Sequence, residues 1–188
     1  MKALLDACVL YPTVQREVLL KTARAGVFTP LWSDRILEEW RRAAARLGPV
    51  AEAQAGGEIA LMRGFWPEAS VRPKGSDEAR LYLPDPNDVH VLAAAIAGSA
   101  EVIVTENAKD FPRGTLYEEG LRRDTPDHFL TSLFVQQPKK IMAAAQETWE
   151  QAQLMDGCPP TQRAMLKKCR LPKLARAIEY EREHNGSL

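Results

Sequence analysis

The chain is short of several features that would assign it to a particular class of protein. It has three cysteines, and Cys8, Cys158 and Cys169 show none of the spacings of a metal-binding cysteine motif. We therefore expect reduced thiols and a cytoplasmic location. No apolar run approaches the length of a membrane span, and the charge of Asp6 interrupts the first residues before a signal peptide's apolar region could form. Neither a signal peptide nor a membrane partner is expected.

The chain also lacks net charge, because 25 Lys and Arg residues balance 25 Asp and Glu residues. This balance gives no general sign of a nucleic-acid partner. The basic residues are nevertheless unevenly placed, and residues 163–176, here called the basic stretch, contain six of them and no acid: Arg163, Lys167, Lys168, Arg170, Lys173 and Arg176. Such a stretch is compatible with phosphate binding, and a solvated helix face is the alternative.

Two short apolar runs predict buried strands, one at residues 3–5 and one at residues 102–105. Between them, apolar residues recur at helical spacing in the segments 14–24, 33–47, 50–66 and 85–98. Ser33 and Asp85 are predicted N-caps, and Gly26 is predicted to end the first of these helices. Residues 28–32 are expected to bridge two helices, and residues 67–84 to be irregular. This order of elements is typical of an α/β domain with a parallel sheet.

The last part of the chain shows only helical patterns, at about 125–134, 139–154, 161–168 and 172–182. Prolines and a Gly-Cys-Pro-Pro segment separate these helices. We therefore predict two parts, an α/β domain at residues 1–130 and a helical extension at residues 131–188.

Acidic residues follow both predicted strands. Asp6 ends the first strand, and the loop from Thr105 to Asp110 follows the second. In an open parallel sheet, sites form beyond the carboxyl ends of the strands. Glu39 and Asp88 lie on helices that such a sheet would pack against. Taken singly, each acid has a structural alternative, as a turn residue, a helix cap or part of a solvated helix face.

If the four acids converge, their negative charges require a cation. Oxygen ligands with no nearby histidine or cysteine favour Mg²⁺ or Mn²⁺ over zinc. A divalent ion held by carboxylates is well suited to hydrolysing phosphodiesters. If the four acids converge, they would therefore suit metal-dependent hydrolysis of phosphodiesters.

Four motifs occur in order along residues 2–112: LLDACVL at 4–10, SDRILEEW at 33–40, LPDPNDVHVLAAA at 83–95 and VIVTENAKDFP at 102–112. They resemble the acidic motifs of the PIN-domain family, whose opening is similar to "LLDANVL" and whose fourth motif is similar to "VTxNxxDF". Matched motif by motif, the four acids are Asp6, Glu39, Asp88 and Asp110.

The resemblance implies a PIN-like three-layer α/β/α sandwich with a central, mainly parallel sheet, followed by a helical extension. It also implies an Mg²⁺- or Mn²⁺-dependent ribonuclease. Asp6, Asp88 and Asp110 would hold the metal, and Glu39 would orient or activate the attacking water. Many bacterial members resemble VapC toxins of type II toxin–antitoxin pairs. The expected partners are therefore RNA, a cognate antitoxin protein and, in a homodimer, a second copy of the chain.

Several further residues are candidates for supporting roles. Many PIN domains carry an aspartate two residues after the motif-four threonine, where this chain has Asn107, so Asp110 must supply the fourth charge. Asn107 can still orient a water or the substrate, and Thr105 can hydrogen-bond to Asp6 or to a metal-bound water. Arg16 and Lys21 could reach RNA phosphates, with a solvated helix face as the alternative.

Three other functions compete with a toxin ribonuclease. One is a PIN nuclease of RNA processing, and a second is an inactive PIN fold that only binds, which the intact acid set argues against. The third is a phosphotransferase of the haloacid dehalogenase or receiver type. A haloacid dehalogenase would need an aspartate where Cys8 stands. A receiver domain would need a lysine after a late strand, and Lys109 is a poor fit by register.

Overall fold

The computed structural model describes residues 1–154 and 157–185, so residues 155–156 and 186–188 of the predicted extension lie outside the described part. The chain forms two compact units. The first contains residues 1–11 and 29–124, and the second contains residues 12–28 together with the chain from residue 125 onward. Within the described ranges, no helix is both long and apolar enough to cross a membrane. The predicted domain boundary at residue 130 stays a prediction.

A five-stranded sheet with flanking helices organises the first unit. Its strands are β1 (Lys2–Leu5), β2 (Thr29–Ser33), β3 (Ser70–Val71), β4 (Val102–Val104) and β5 (Arg122–Asp124). They lie in the order β3-β2-β1-β4-β5, and every neighbouring pair is parallel. The strand order reverses beside β1, because β2 and β3 are added on one side of it and β4 and β5 on the other. The crevice at the carboxyl ends of β1 and β4 is therefore the switch point at which α/β sheets bind ligands.

Eleven α-helices occur in the described residues: α1 (Ala7–Leu10), α2 (Thr13–Arg24), α3 (Asp34–Ala45), α4 (Pro49–Phe65), α5 (Gly75–Ala79), α6 (Val89–Ala97), α7 (Arg113–Glu118), α8 (Pro126–Phe134), α9 (Pro138–Ala152), α10 (Gln162–Lys168) and α11 (Pro172–Asn185). The predicted caps are confirmed. Ser33 Oγ accepts a hydrogen bond from Ile36 N, and Asp85 accepts one from Asn87 N at the turn that precedes α6. Gly26, with a φ of 74°, follows the end of α2.

Helix α6 packs against β1, β2 and β4 and is buried on most of its surface. Its end comes very close to the sheet at Gly98. A Cβ there would lie 2.7 Å from Leu31 Cδ1 and 2.9 Å from Val71 Cγ1, so only glycine fits without a shift. This close packing fixes the position of the opposite end of α6, where Asp88 immediately precedes the helix.

The α/β class, the parallel sheet and the helical C-terminal region are confirmed, but several local predictions were wrong. Residues 28–32 do not form a bridge, because Thr29–Ser33 is strand β2. Pro30 is compatible with a strand at this point because β3 pairs only with Trp32 and Ser33, which leaves Pro30 beside β1 alone. Residues 67–84 are not irregular throughout, since they contain a 3₁₀ turn, β3 and α5. Helix α7 and the charged edge strand β5 were not predicted.

The second unit consists of helices alone in its described residues. Helix α2 packs against α8 and α9, and α11 packs against α8, α9 and α10. Asp127, buried in α8, accepts hydrogen bonds from the backbone N–H groups of Lys173 and Leu174 at 3.0 Å. A buried carboxylate thus caps the positive end of α11, where the first backbone N–H groups have no partner within the helix.

Candidate active site

Asp6 lies at the carboxyl end of β1, beside the end of β4. Its backbone N–H bonds to the Val104 carbonyl at 3.1 Å, which continues the pairing of the two strands by one residue. The side chain is 7% exposed, and its Oδ2 accepts a hydrogen bond of 2.7 Å from Thr105 Oγ1. The predicted contact between Thr105 and Asp6 is therefore present, and the sheet places both residues at the switch point.

Cys8 is a second donor to the same carboxylate. Its Sγ donates to Asp6 Oδ2 at 3.1 Å and accepts from the backbone N–H of Glu106 at 3.3 Å. Burial, followed by the nearby charge of Asp6, raises the pKa of the Cys8 thiol to about 12. The thiol therefore stays protonated at neutral pH and acts as a hydrogen-bond donor rather than as a nucleophile.

Three carboxylates meet next to this pair of residues. One oxygen from each of Asp85, Asp88 and Asp110 lies within 4.8 Å of the other two, and all three side chains are half-buried. Asp85 and Asp88 are three residues apart across a 3₁₀ turn, in which residues i and i+3 project to the same side. Asp110 reaches them from the loop after β4. Asp88 and Asp110 are thus brought together as predicted.

The charges of these acids act on one another. Burial, followed by the charges of Asp6, Asp85 and Asp110, raises the pKa of Asp88 to about 6. Asp6 is therefore close enough to affect Asp88 electrostatically, although it is not one of the three convergent carboxylates. An added cation would relieve the repulsion that raises this pKa.

Asn107 links the two groups of residues. Its backbone N–H donates to Thr105 Oγ1 at 2.9 Å, and its side-chain Nδ2 donates to Asp88 Oδ2 at 3.1 Å. A continuous series of hydrogen bonds therefore runs from Asp6 through Thr105 and Asn107 to Asp88. The amide leaves the site with one negative charge fewer than an aspartate would give, and it orients a carboxylate instead.

Glu39 and its neighbour Glu38 have different surroundings. Glu39 Oε1 lies 2.8 Å from His90 Nε2 of α6 and 3.6 Å from Arg35 Nε. Glu38 instead pairs with Arg41 and Arg42, whose hydrogen bonds lower the pKa of Glu38 to about 2. Of the two acids, Glu39 is therefore the one that contacts the helix following Asp88.

The two predicted RNA-binding cations belong to the second unit and are buried there. Arg16 is 2% exposed and Lys21 is 7% exposed. The Lys21 ammonium donates to Gln151 Oε1 at 2.6 Å and pairs with Glu17 at 2.9 Å. These contacts give no support to a role in RNA binding, which stays a prediction.

Sequence reasoning missed the part that Asp85 and Cys8 play in this site. Asp85 was assigned only as a cap, although its spacing from Asp88 is that of one 3₁₀ turn and could have indicated a shared side. Asp85 is both a cap and a member of the carboxylate cluster: its Oδ1 accepts a hydrogen bond from Asn87 N, and its carboxylate belongs to the convergent group. Cys8 follows Asp6 by two residues, but nothing in the sequence indicates that its thiol turns back to that carboxylate.

The donor set fits a divalent cation. Asp85, Asp88 and Asp110 offer only oxygen atoms, with Asp6 nearby and no sulfur or imidazole ligand in the convergent group. Hard oxygen ligands of this kind suit Mg²⁺ or Mn²⁺. The raised pKa of Asp88 points the same way, because it arises first from burial and then from neighbouring carboxylate charges, and bound metal would neutralise those charges.

A family model described as PIN domain matches residues 2–109, which is more than half of the chain. The matched segment includes both strands of the switch point and all the residues of the site except Asp110, which directly follows it. No curated protein and no solved structure matches the chain.

Proposed function

Because the chain belongs to the PIN-domain family, we propose that it is an Mg²⁺- or Mn²⁺-dependent endoribonuclease and the toxin of a type II toxin–antitoxin pair. PIN domains are generally nucleases. The observation that carries the metal-dependent chemistry is the convergence of Asp85, Asp88 and Asp110 within 4.8 Å beside the switch point.

The residues divide into those that hold the metal and those that organise its surroundings. Asp88 and Asp110 are ligands, directly or through water, with Asp85 beside them and Asp6 completing the charge. Thr105, Cys8 and Asn107 donate hydrogen bonds that fix the orientation of these carboxylates. Outer partners of this kind commonly change metal affinity by about 10–100-fold when they are removed.

The ion would supply Lewis-acid activation of the phosphodiester and of a water. Glu39 is the base that orients the attacking water, and the His90 ring restricts where its carboxylate can lie. In-line attack by water leaves a 5′-phosphate and a 3′-hydroxyl. No pair of His or Lys residues in the site suggests a route through the 2′-hydroxyl.

Cleavage of single-stranded RNA tests the ribonuclease. We expect cleavage with Mg²⁺ or Mn²⁺ and none with chelator, and a loss of roughly 10²–10³-fold in Asp88→Asn, as for other groups that stabilise transition-state charge. Glu118→Gln is the matched control, because Glu118 is exposed on α7 and the same charge is removed. Equal activity in wild type and Asp88→Asn would contradict the assignment.

The toxin assignment rests on the resemblance of the four motifs to those of the PIN-domain family, many of whose bacterial members resemble VapC toxins. Growth and co-purification experiments distinguish it from an RNA-processing nuclease. Induced expression in a bacterial host should arrest growth in a manner that requires Asp88. A small reading frame beside the gene should relieve the arrest and its product should co-purify with this chain. A ribonuclease that leaves growth unaffected would favour RNA processing.

A further inference from the structure

A pocket lies on the same edge of the sheet as the carboxylates. It has a volume of about 210 Å³ and opens beyond the carboxyl ends of β2 and β3, at Ser33 and Val71. His90 of α6 forms part of its wall. A pocket of this volume suits a small group such as a phosphate rather than a folded partner.

His90, in the wall of this pocket, is buried and lacks hydrogen-bond partners for its ring nitrogens among the described residues. The residue is 2% exposed, and neither ring nitrogen makes a hydrogen bond of good geometry to any described residue. Nε2 lies 2.8 Å from Glu39 Oε1 in a poorly aligned contact, and Nδ1 has no such neighbour in the described ranges. A buried polar atom without a partner is unfavourable, so a ligand in the pocket that reached Nδ1 would remove an existing penalty.

The pocket also contains cations that are weakly engaged. Arg72 is exposed and makes no ion pair or hydrogen bond within the part of the chain that the structure describes. Arg35 lies 3.6 Å from Glu39 and 3.8 Å from Glu78, without a hydrogen bond to either. Two acids also line the pocket: Asp34 is paired with Arg63 at 2.9 Å, and Glu78 is the acid that lies 3.8 Å from Arg35.

The start of α3 adds positive potential to that of the two arginines. This helix has 12 residues, and the Ser33 side chain caps only the N–H of Ile36. The earlier N–H groups, those of Asp34 and Arg35, have no carbonyl within the helix to bond to. A helix start of this kind favours an anion, and here it stands beside two arginines and a buried ring nitrogen.

We propose that this pocket, the β2–β3 pocket, binds a backbone phosphate of the RNA within a few nucleotides of the phosphodiester that is cut. The proposal rests on the proposed function. The β2–β3 and β1–β4 crevices are two strand spacings apart, about 10 Å, which an extended RNA chain spans within a few nucleotides. His90 joins the two places, because it lines the pocket and touches Glu39.

Binding of a short single-stranded oligouridylate at a series of salt concentrations tests the pocket. Arg72→Gln should weaken binding and flatten the salt dependence by about 0.7 in the log–log slope, the effect of one lost phosphate contact on a single strand. Arg46→Gln is the matched control, since Arg46 is exposed just after the other end of α3, about 18 Å away. Equal slopes for Arg72→Gln and Arg46→Gln would overturn the proposal.

Measuring binding in chelator separates this proposal from the nuclease itself. If Arg72→Gln flattens the salt slope while no metal-dependent cleavage is found, phosphate binding in the β2–β3 pocket is supported and the ribonuclease assignment fails. If metal-dependent cleavage requires Asp88 but Arg72→Gln and Arg46→Gln bind RNA alike, the ribonuclease assignment is supported and phosphate binding in the pocket is contradicted.

The ring signals of His90 give a readout that a general loss of charge would not produce. The chain has three histidines, and only His90 lines the pocket, so His90→Gln identifies its signals. Oligouridylate should shift the His90 signals in wild type and shift them much less in Arg72→Gln. A shift caused by inorganic phosphate but not by oligouridylate would overturn the proposal, because the pocket would then take a free anion.

Discussion

The carboxylate cluster is expected to destabilise the metal-free protein, and Asp88→Asn tests this. Burial and three neighbouring acids make the charged form of Asp88 unfavourable in the fold. Asparagine has nearly the same shape, carries no charge, and can still accept the hydrogen bond from Asn107 through its amide oxygen. The variant should therefore be more stable than wild type in chelator at neutral pH.

The size of this effect follows from the pKa of Asp88, which rises from an ordinary value of 3.8 to about 6. A pKa change of this size corresponds to roughly 3 kcal/mol of unfavourable free energy for the charged form. Because Asp88 is only half-buried and water screens its charge, we expect on the order of 1–2 kcal/mol. For a chain of this length, each kcal/mol shifts the Tm by about 2–4 °C.

The effect must also depend on pH, in a direction set by the raised pKa. The folded protein binds the Asp88 proton more tightly than the unfolded chain does, so protonation adds stability that is complete below about pH 4 and is lost as the pH rises through about 6. Asp88→Asn should therefore match wild type near pH 4, gain its advantage between about pH 4 and 6, and keep it at higher pH. Urea unfolding in chelator across this range measures the difference.

Two comparisons complete this test. Glu118→Gln removes an exposed charge and should leave the pH dependence unchanged. Mg²⁺ or Mn²⁺ should raise the Tm of wild type, because the ion binds the folded state, and should raise that of Asp88→Asn much less. The reasoning is refuted if Asp88→Asn is less stable than wild type at neutral pH in chelator, or if the ion stabilises both proteins equally.

Three further predictions concern other parts of the molecule. Glu39→Gln should abolish RNA cleavage while Glu38→Gln keeps most of it, since Glu38 is paired with arginines at the surface; the reverse result would move the site by one residue. Thr105→Val removes a 2.7 Å donor from the buried Asp6 carboxylate and should weaken Mn²⁺ binding by about 10–100-fold in a titration, so unchanged affinity would contradict a role in holding that carboxylate. In the basic stretch, simultaneous neutralisation of four exposed cations should leave RNA binding nearly unchanged and prevent co-purification with the proposed antitoxin. A flatter salt slope would instead indicate phosphate contacts, and no effect on either measurement would indicate a solvated helix. The four are Lys167, Lys168, Arg170 and Lys173.

The elements that sequence reasoning predicted are those with strong local signals. Strand β4 and residues 3–5 of β1 are continuous apolar runs, and Ser33 and Asp85 are the caps that local sequence predicts. Strand β2 was missed because Pro30 argues against a strand, and only its pairing with β1 alone at that residue makes the proline acceptable. Strand β5 is short and fully charged, which is common at a sheet edge and leaves no alternating pattern to detect.

The candidate site shows the same division between local and distant information. The positions of Asp6 and Thr105 follow from the ends of two apolar strands, and their contact was foreseen. The convergence of Asp85 with Asp110 depends on how a turn and a distant loop meet, which no single segment encodes. Likewise, the hydrogen bond from Lys21 to Gln151 joins residues far apart in sequence, so Lys21 could not be recognised as buried from its own helix.

The chemical ends of the RNA products test the central claim most directly, because they report the reaction itself. Hydrolysis by water at the carboxylate cluster predicts fragments with a 5′-phosphate and a 3′-hydroxyl, formed only with Mg²⁺ or Mn²⁺ and lost in Asp110→Asn. Fragments that carry a 2′,3′-cyclic phosphate and a 5′-hydroxyl, formed equally well in chelator, would contradict it.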